Sequence, residues 1–234
     1  MVIPVKIFEI KTEYNQSRFY NSLQGYQELE PYESNTGSGE LTTEILDLKM
    51  EGTLIQGVLA KDFLRDRFYR RKMIKTPETE EAPFWITPYN DRIFLIVSAP
   101  SVARGVKKML TGHVANKLDE IISGGSGLIV EAEISHETLR ELHESNPKAT
   151  NLIWFDNVDI PDVEKLCLSG SGLADTQLYQ NYVEHGKIWY VVFQVQEKEI
   201  VIGITRNSVI AMFSKSEIDD FIDYVTSEVF PLIG

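Results

Sequence analysis

Apolar residues recur along this chain with a period of two in some stretches and a period near 3.6 in others, and the two patterns interleave. The C-terminal third shows it most plainly. Residues 187–196, with Ile-Trp-Tyr-Val-Val-Phe inside them, predict a strand, 199–205 a second and 208–213 a third, with Arg206 and Asn207 as the last turn. Ser214 and Glu217 then have the spacing of a capping box before a helix over 218–229. Ile218, Phe221, Ile222, Val225 and Val229 give that helix one apolar face, and Pro231 stops it.

Towards the N-terminus, residues 3–13 predict a first strand. Residues 15–40, rich in Asn, Ser, Gln, Gly and Tyr, predict a long loop with one short helix over 16–23. Residues 41–50 and 53–60 alternate on either side of Glu51-Gly52 and predict a hairpin. Residues 76–88 hold three prolines and the acidic group Glu78, Glu80 and Glu81, which predicts a loop anchored by Trp85. Arg-Ile-Phe-Leu-Ile-Val at 92–97 predicts a buried strand. Ser98 and Pro100 then open a helical pattern that weakens near Thr111-Gly112 and ends at Gly124-Gly-Ser-Gly127. A strand over 128–134, a helix over 136–144 capped by Ser135, strands over 151–158 and 164–168 and a short helix over 176–183 complete the series.

These elements predict an α+β fold of two halves, each a small, mainly antiparallel sheet with helices packed on one face. The halves would span 1–148 and 149–234, or merge into one continuous domain. Residues 92–122 and 208–229 share an order of strand, serine cap and amphipathic helix, which is compatible with a diverged duplication but is also a common unit.

Composition is close to the globular average, at 43% hydrophobic and 25% charged residues. No apolar run is long enough for a membrane span, the N-terminal stretch is broken by Lys6, Glu9 and Lys11 and is no signal peptide, and a single cysteine excludes an internal disulfide. The expectation is a cytoplasmic protein. Net charge is −12, which argues against a chain-wide affinity for polyanions. Its distribution changes that picture. Residues 61–117 hold twelve Lys or Arg against six Asp or Glu, a local +6 that leaves −18 on the rest.

The densest part is residues 61–75, Lys-Asp-Phe-Leu-Arg-Asp-Arg-Phe-Tyr-Arg-Arg-Lys-Met-Ile-Lys. Its cations point all round a helical wheel, but as one extended strand Lys61, Phe63, Arg65, Arg67, Tyr69, Arg71, Met73 and Lys75 share a face. Cations that meet phosphates and aromatic rings that stack on bases are the ingredients of a nucleic-acid surface. The polyanion-binding candidates are therefore Lys61, Arg65, Arg67, Tyr69, Arg70, Arg71, Lys72 and Lys75, extended by Arg104, Lys107 and Lys108. The competing reading puts Phe63, Leu64, Phe68 and Ile74 in the core and pairs the arginines with the chain's own carboxylates.

Catalytic constellations are weak. Residues 98–105 have the spacing of an anion-cradling loop, with Ser98 where a nucleophilic cysteine would stand and Arg104 near the helix start. Asp47 and Lys49, with Glu44 nearby, have the acidic-x-Lys spacing of metal-dependent nucleases but lack an acidic partner upstream. His136 and His143 could share a helix face, with no third ligand in view, and the Gly-Ser loops fit no nucleotide fingerprint. Cys167 reads as buried and inert. The expectation is no enzyme, no metal and no cofactor. The chain instead reads as an accessory or regulatory protein docking nucleic acid, with an interaction module for an acidic partner or a second copy of itself as the alternative, and a nuclease or phosphoesterase as the third.

Overall fold

The computed structural model describes residues 3–34, 37–98, 111–145, 148–195, 200–213 and 217–234. They form a mixed α+β structure dominated by antiparallel sheet. The elements, in order, are β1 (Ile3–Ile10), α1 (Gln16–Leu23), β2 (Gln27–Ser34), β3 (Gly37–Glu51), β4 (Leu54–Tyr69), β5 (Lys72–Tyr89), β6 (Arg92–Ser98), α2 (Thr111–Ser123), β7 (Ile129–Glu131), α3 (His136–Ser145), β8 (Thr150–Asp156), β9 (Leu166–Ser169), α4 (Gln177–His185), β10 (Lys187–Val195), β11 (Ile200–Thr205), β12 (Val209–Met212) and α5 (Ile218–Tyr224). They divide into two compact units, one of residues Phe8–Val130 and one of Met1–Ile7 with Glu131–Gly234.

In the unit of Phe8–Val130 the strands run β2-β3-β4-β5-β6, each antiparallel to the next. Alternate residues Ile55 and Leu59 on β4, Ala82, Phe84 and Ile86 on β5, and Ile93, Leu95 and Val97 on β6 point to one face. There they meet Phe19 and Leu23 of α1 and Val114, Ala115, Leu118 and Ile122 of α2 in a continuous core. Gly57 lies beneath the Phe84 ring, where a Cβ would come within 2.9 Å of it, so only glycine lets that ring close the core. The helices start and stop on local chemistry. Asn15 caps α1 by accepting from the Arg18 amide at 2.9 Å. At the far end of α2, the Asp119 carboxylate accepts from the Gly127 and Leu128 amides at 2.8 and 3.0 Å and from the Ser123 hydroxyl at 2.8 Å, fastening the glycine-serine turn. Burial opposes its charge, but these donors outweigh it and hold its carboxyl below the usual range.

Two stretches predicted as loop are strand. Residues 27–34 pair along β3 in unbroken register, so the polar run after α1 is an edge strand rather than a loop. Polar, glutamate-rich residues suit such an edge because they discourage pairing with another chain. Residues 76–88 are the body of β5. The prolines Pro77 and Pro83 pair only with β4, and Pro88 only with β6, so each stands where β5 has a described neighbour on one side and a missing N–H interrupts no second ladder. Trp85 is buried, as its anchoring role requires.

In the other unit the strands run β1-β12-β11-β10-β8-β9, with α3 against β10. Ser135 caps α3 and Thr176 caps α4, accepting from the Thr138 and Tyr179 amides at 3.0 and 3.1 Å. Glu217 occupies the cap position of α5 itself, without a side-chain capping bond, and not the third helical position that a capping box needs. Its partner in the predicted box, Ser214, lies outside the described residues. Cys167 is exposed on β9 rather than buried, because it takes the position opposite Trp154 on the less covered sheet face. Among the described residues, no helix is long and apolar enough to cross a membrane.

His143 is fully buried on α3, edge-on to the Tyr179 ring at 4.8 Å, and neither ring nitrogen has a hydrogen-bond partner among the described residues. Burial pushes its pKa below the ordinary 6.5, with neighbouring Glu144 opposing only in part. The unfolded chain therefore takes up a proton near pH 6.5 and the folded chain only at lower pH, so the neutral ring's contribution is present above 6.5 and is lost as pH falls below it. Chemical denaturation of wild type and His143→Phe at several pH values should show the stability difference constant above about pH 7.5. Below pH 6.5 it should move in favour of the variant.

Candidate functional site

β4 and β5 are longer than their neighbours. They pair over fifteen consecutive residues, from Ile55↔Ile86 to Tyr69↔Lys72, without a register shift. β3 accompanies β4 only as far as Lys61, and β6 accompanies β5 only from Phe84. The eight pairs from Asp62↔Thr79 to Tyr69↔Lys72 thus form a two-stranded ribbon with no third strand among the described residues. At a strand rise of about 3.3 Å per residue the ribbon is roughly 25 Å long.

Its apex explains the basic segment. The chain reverses at Arg70-Arg71, so residues 61–75 are not one strand, and the single face expected for them is split. Lys61, Phe63, Arg65, Arg67 and Tyr69 keep one face, joined by Lys72 and Ile74 from β5. Met73 and Lys75, opposite Phe68 and Asp66, belong to the other. Arg70 and Arg71 sit at φ 45° and 64°. A two-residue hairpin turn wants positive φ at both central residues, which is why Asn-Gly is its preferred sequence. The adjacent β5–β6 hairpin follows that preference with Asn90 and Asp91 at φ 45° and 61°. Two arginines in the same positions each carry a left-handed penalty of about 1 kcal/mol.

The cations fall into two groups. Near the base, Arg65 is buried and donates to the Glu80 carboxylate, with Glu78 at 3.8 Å and its guanidinium 5.4 Å above the Phe63 ring. There the protein neutralises itself. Towards the tip, Arg67, Arg70, Arg71 and Lys72 are exposed and form no ion pair among the described residues. Arg70 leans over Tyr69, 5.3 Å from its ring centre. Phe68, Tyr69 and Met73 are 69%, 55% and 53% exposed, so the apex is apolar as well as basic. Phe68 is therefore not a core residue, and Met73 joins it. Neither was among the site candidates, because which rings face solvent depends on where the third strand ends. Lys75 is exposed on the opposite face, and Arg104, Lys107 and Lys108 lie outside the described residues.

Lys61 is half-buried and belongs to a cavity of about 320 Å³ where the ribbon leaves the sheet, lined by Leu59, Lys61 and Phe63 of β4 and His113 and Lys117 of α2. Lys117 lies 2.8 Å from Glu28 and 2.7 Å from Glu120. Burial works against its charge, but the two carboxylates prevail and keep the ammonium protonated well above the usual lysine range, while Lys117 in turn holds the Glu28 carboxyl low.

The weaker candidates are dispersed. Asp47 is exposed at a β3 bulge with φ 50°, and Lys49 is exposed beyond it. His136 pairs with Glu137 at 2.8 Å while His143 turns inward, so the two do not share a face. The other unit has a cavity of about 350 Å³ beside Ser135–Glu137, Lys187 and Arg206, in which Arg206 is committed to Asp156 at 2.5 Å. No protein-family model and no curated protein matches this sequence.

Replacing Arg70 and Arg71 together by Asn and Gly should stabilise the protein by about 1–2 kcal/mol, through relief of left-handed strain and of like-charge repulsion. Urea denaturation of the double variant against wild type measures it, and a loss of stability would show that the arginines serve the fold.

Proposed function

We propose that this chain is a non-enzymatic accessory or regulatory protein that docks a nucleic acid through the β4–β5 ribbon. The observation that carries the reading is the apex itself. Arg70 and Arg71 occupy the two positive-φ positions of an unsupported turn, where other residues would cost less, and they stand beside exposed Phe68 and Tyr69. Strain retained at an exposed tip points to a use for the side chains placed there. Unpaired cations release counterions on meeting phosphates, and the rings offer stacking surfaces that tolerate any sequence. The acidic remainder, with −18 outside residues 61–117, repels polyanions from other surfaces and confines contact to the ribbon. The single cysteine and acidic composition fit a cytoplasmic setting. The two-halves organisation expected from the sequence would give the ribbon to the N-terminal half and leave the C-terminal half free to regulate or recruit.

A second reading, self-association, is favoured by β2. It is the edge of its sheet, with Glu30 and Glu33 exposed along it and Glu40 beside them on β3, and it could receive the basic ribbon of another copy.

Fluorescence anisotropy with labelled 20-residue DNA and RNA strands separates these readings. Four phosphate contacts give a slope of log K against log salt of about −3, a roughly sixtyfold loss of affinity between about 50 and 200 mM salt. Combining Arg67→Glu, Arg70→Glu and Arg71→Glu should abolish binding while leaving the thermal transition intact. Absence of binding to either polymer at low salt, together with a mass that rises with concentration in wild type but not in the triple variant, would overturn the nucleic-acid reading in favour of self-association.

A further inference from the structure

We infer that the cavity at the foot of the ribbon receives one unstacked base of a single-stranded nucleic acid held by the ribbon. This rests on the ribbon's proposed role and extends it from any polyanion to a single strand.

Three observations carry it. First, the cavity and the tip lie on one track. Leu59, Lys61, Phe63, Arg65, Arg67 and Tyr69 alternate along β4 in an unbroken register and therefore share a face, and the first three of them line the cavity. Phe63 and Tyr69 are six residues apart, roughly 20 Å, a span that an extended strand of a few nucleotides covers. A chain lying on the exposed Arg67 and Tyr69 is thus led to the cavity without leaving that face.

Second, the lining suits a base rather than a phosphate. Leu59 and the Phe63 ring give apolar surface, and Lys61, His113 and Lys117 bring N–H donors from both sides. The carboxylates of Glu28 and Glu120 balance the two ammonium groups, Glu28 lying in the field of Lys61 as well as against Lys117, while Glu80 opposite Lys61 is already taken by Arg65. Among the described residues the site is polar but close to neutral, so they offer a phosphate little net attraction. A neutral heterocycle with acceptors on its edge and a flat face to set against the Phe63 ring, on the side that Arg65 does not cover, finds both requirements met. The uncompensated charge that a phosphate backbone needs is supplied further out, at the tip.

Third, the size fits. A volume of about 320 Å³ is at the lower end of pockets that hold small organic ligands, roughly 300–1,000 Å³, enough for one nucleotide unit and not for a duplex. A base can enter only if it is unpaired, which selects single strands.

The test compares a labelled twelve-residue thymidine oligonucleotide with an abasic deoxyribose-phosphate oligomer of the same length, at low salt, by fluorescence anisotropy. Wild type should bind the thymidine strand at least about fivefold more tightly, the lower end of what stacking one base contributes. Phe63→Leu, which keeps apolar volume but loses the ring, should lower that preference by about fivefold, the share of one stacked base. His113→Ala, at an exposed position, should weaken the preference in the same direction. If both oligomers bind equally, or if Phe63→Leu leaves the preference intact because Phe68 and Tyr69 supply it, the cavity inference is overturned and the ribbon reading stands, provided the tip charge reversals still abolish binding. If neither oligomer binds, the ribbon reading fails and takes the inference with it.

Discussion

The unbroken register between β4 and β5 is the constraint on which the rest of the candidate site depends. Side chains alternate with a period of two, so a slip of one residue would exchange the faces along all fifteen pairs. The register is fixed where the strands are buried, by Ile55, Leu59, Phe84 and Ile86 against α1 and α2. It is then carried outward by the backbone ladder alone, past the point where β3 and β6 leave. The apolar packing of the core thereby decides, about 30 Å away, that Arg67 and Tyr69 share one side of the ribbon and Phe68 and Met73 the other.

A two-stranded ribbon with no third strand among the described residues has little apolar burial to hold it and is only marginally stable by itself. The base is secured by Arg65, which joins Glu80 and covers Phe63. A buried arginine of this kind gives less net stability than its contacts suggest, but its removal would leave Glu80 without its guanidinium partner in a partly covered site. Beyond that fastening the strand carries charge instead of core. Exposed cations also keep an open ribbon from pairing edge to edge with other chains, so the same residues serve solubility and recognition.

Much of the fold was legible in the sequence. The apolar runs of β6, β10, β11 and β12 and the Ser135 cap of α3 each follow from residues within one turn or one strand. The polar β2 and the proline-bearing β5 were not, because local composition argues against strand in both. They are strands because a neighbour supplies the register, and because prolines and glutamates are tolerated where a sheet is open on one side. Cys167 was misplaced for a related reason, since an apolar neighbourhood in sequence does not say which sheet face is covered.

The sequence by itself determined that positive charge gathers at residues 61–75 and that aromatic rings are interleaved with it, because composition and spacing are properties of the chain. Only the tertiary structure decided what that charge can do. It folded the segment into a hairpin turning on Arg70 and Arg71 and gave Arg65 to Glu80. It brought His113 and Lys117 of α2 to Lys61 and Phe63. Pairing with a carboxylate fifteen residues away, and meeting a helix some fifty residues on, depend on where strands end and how they register. Those are set by packing against the core rather than by any local signal.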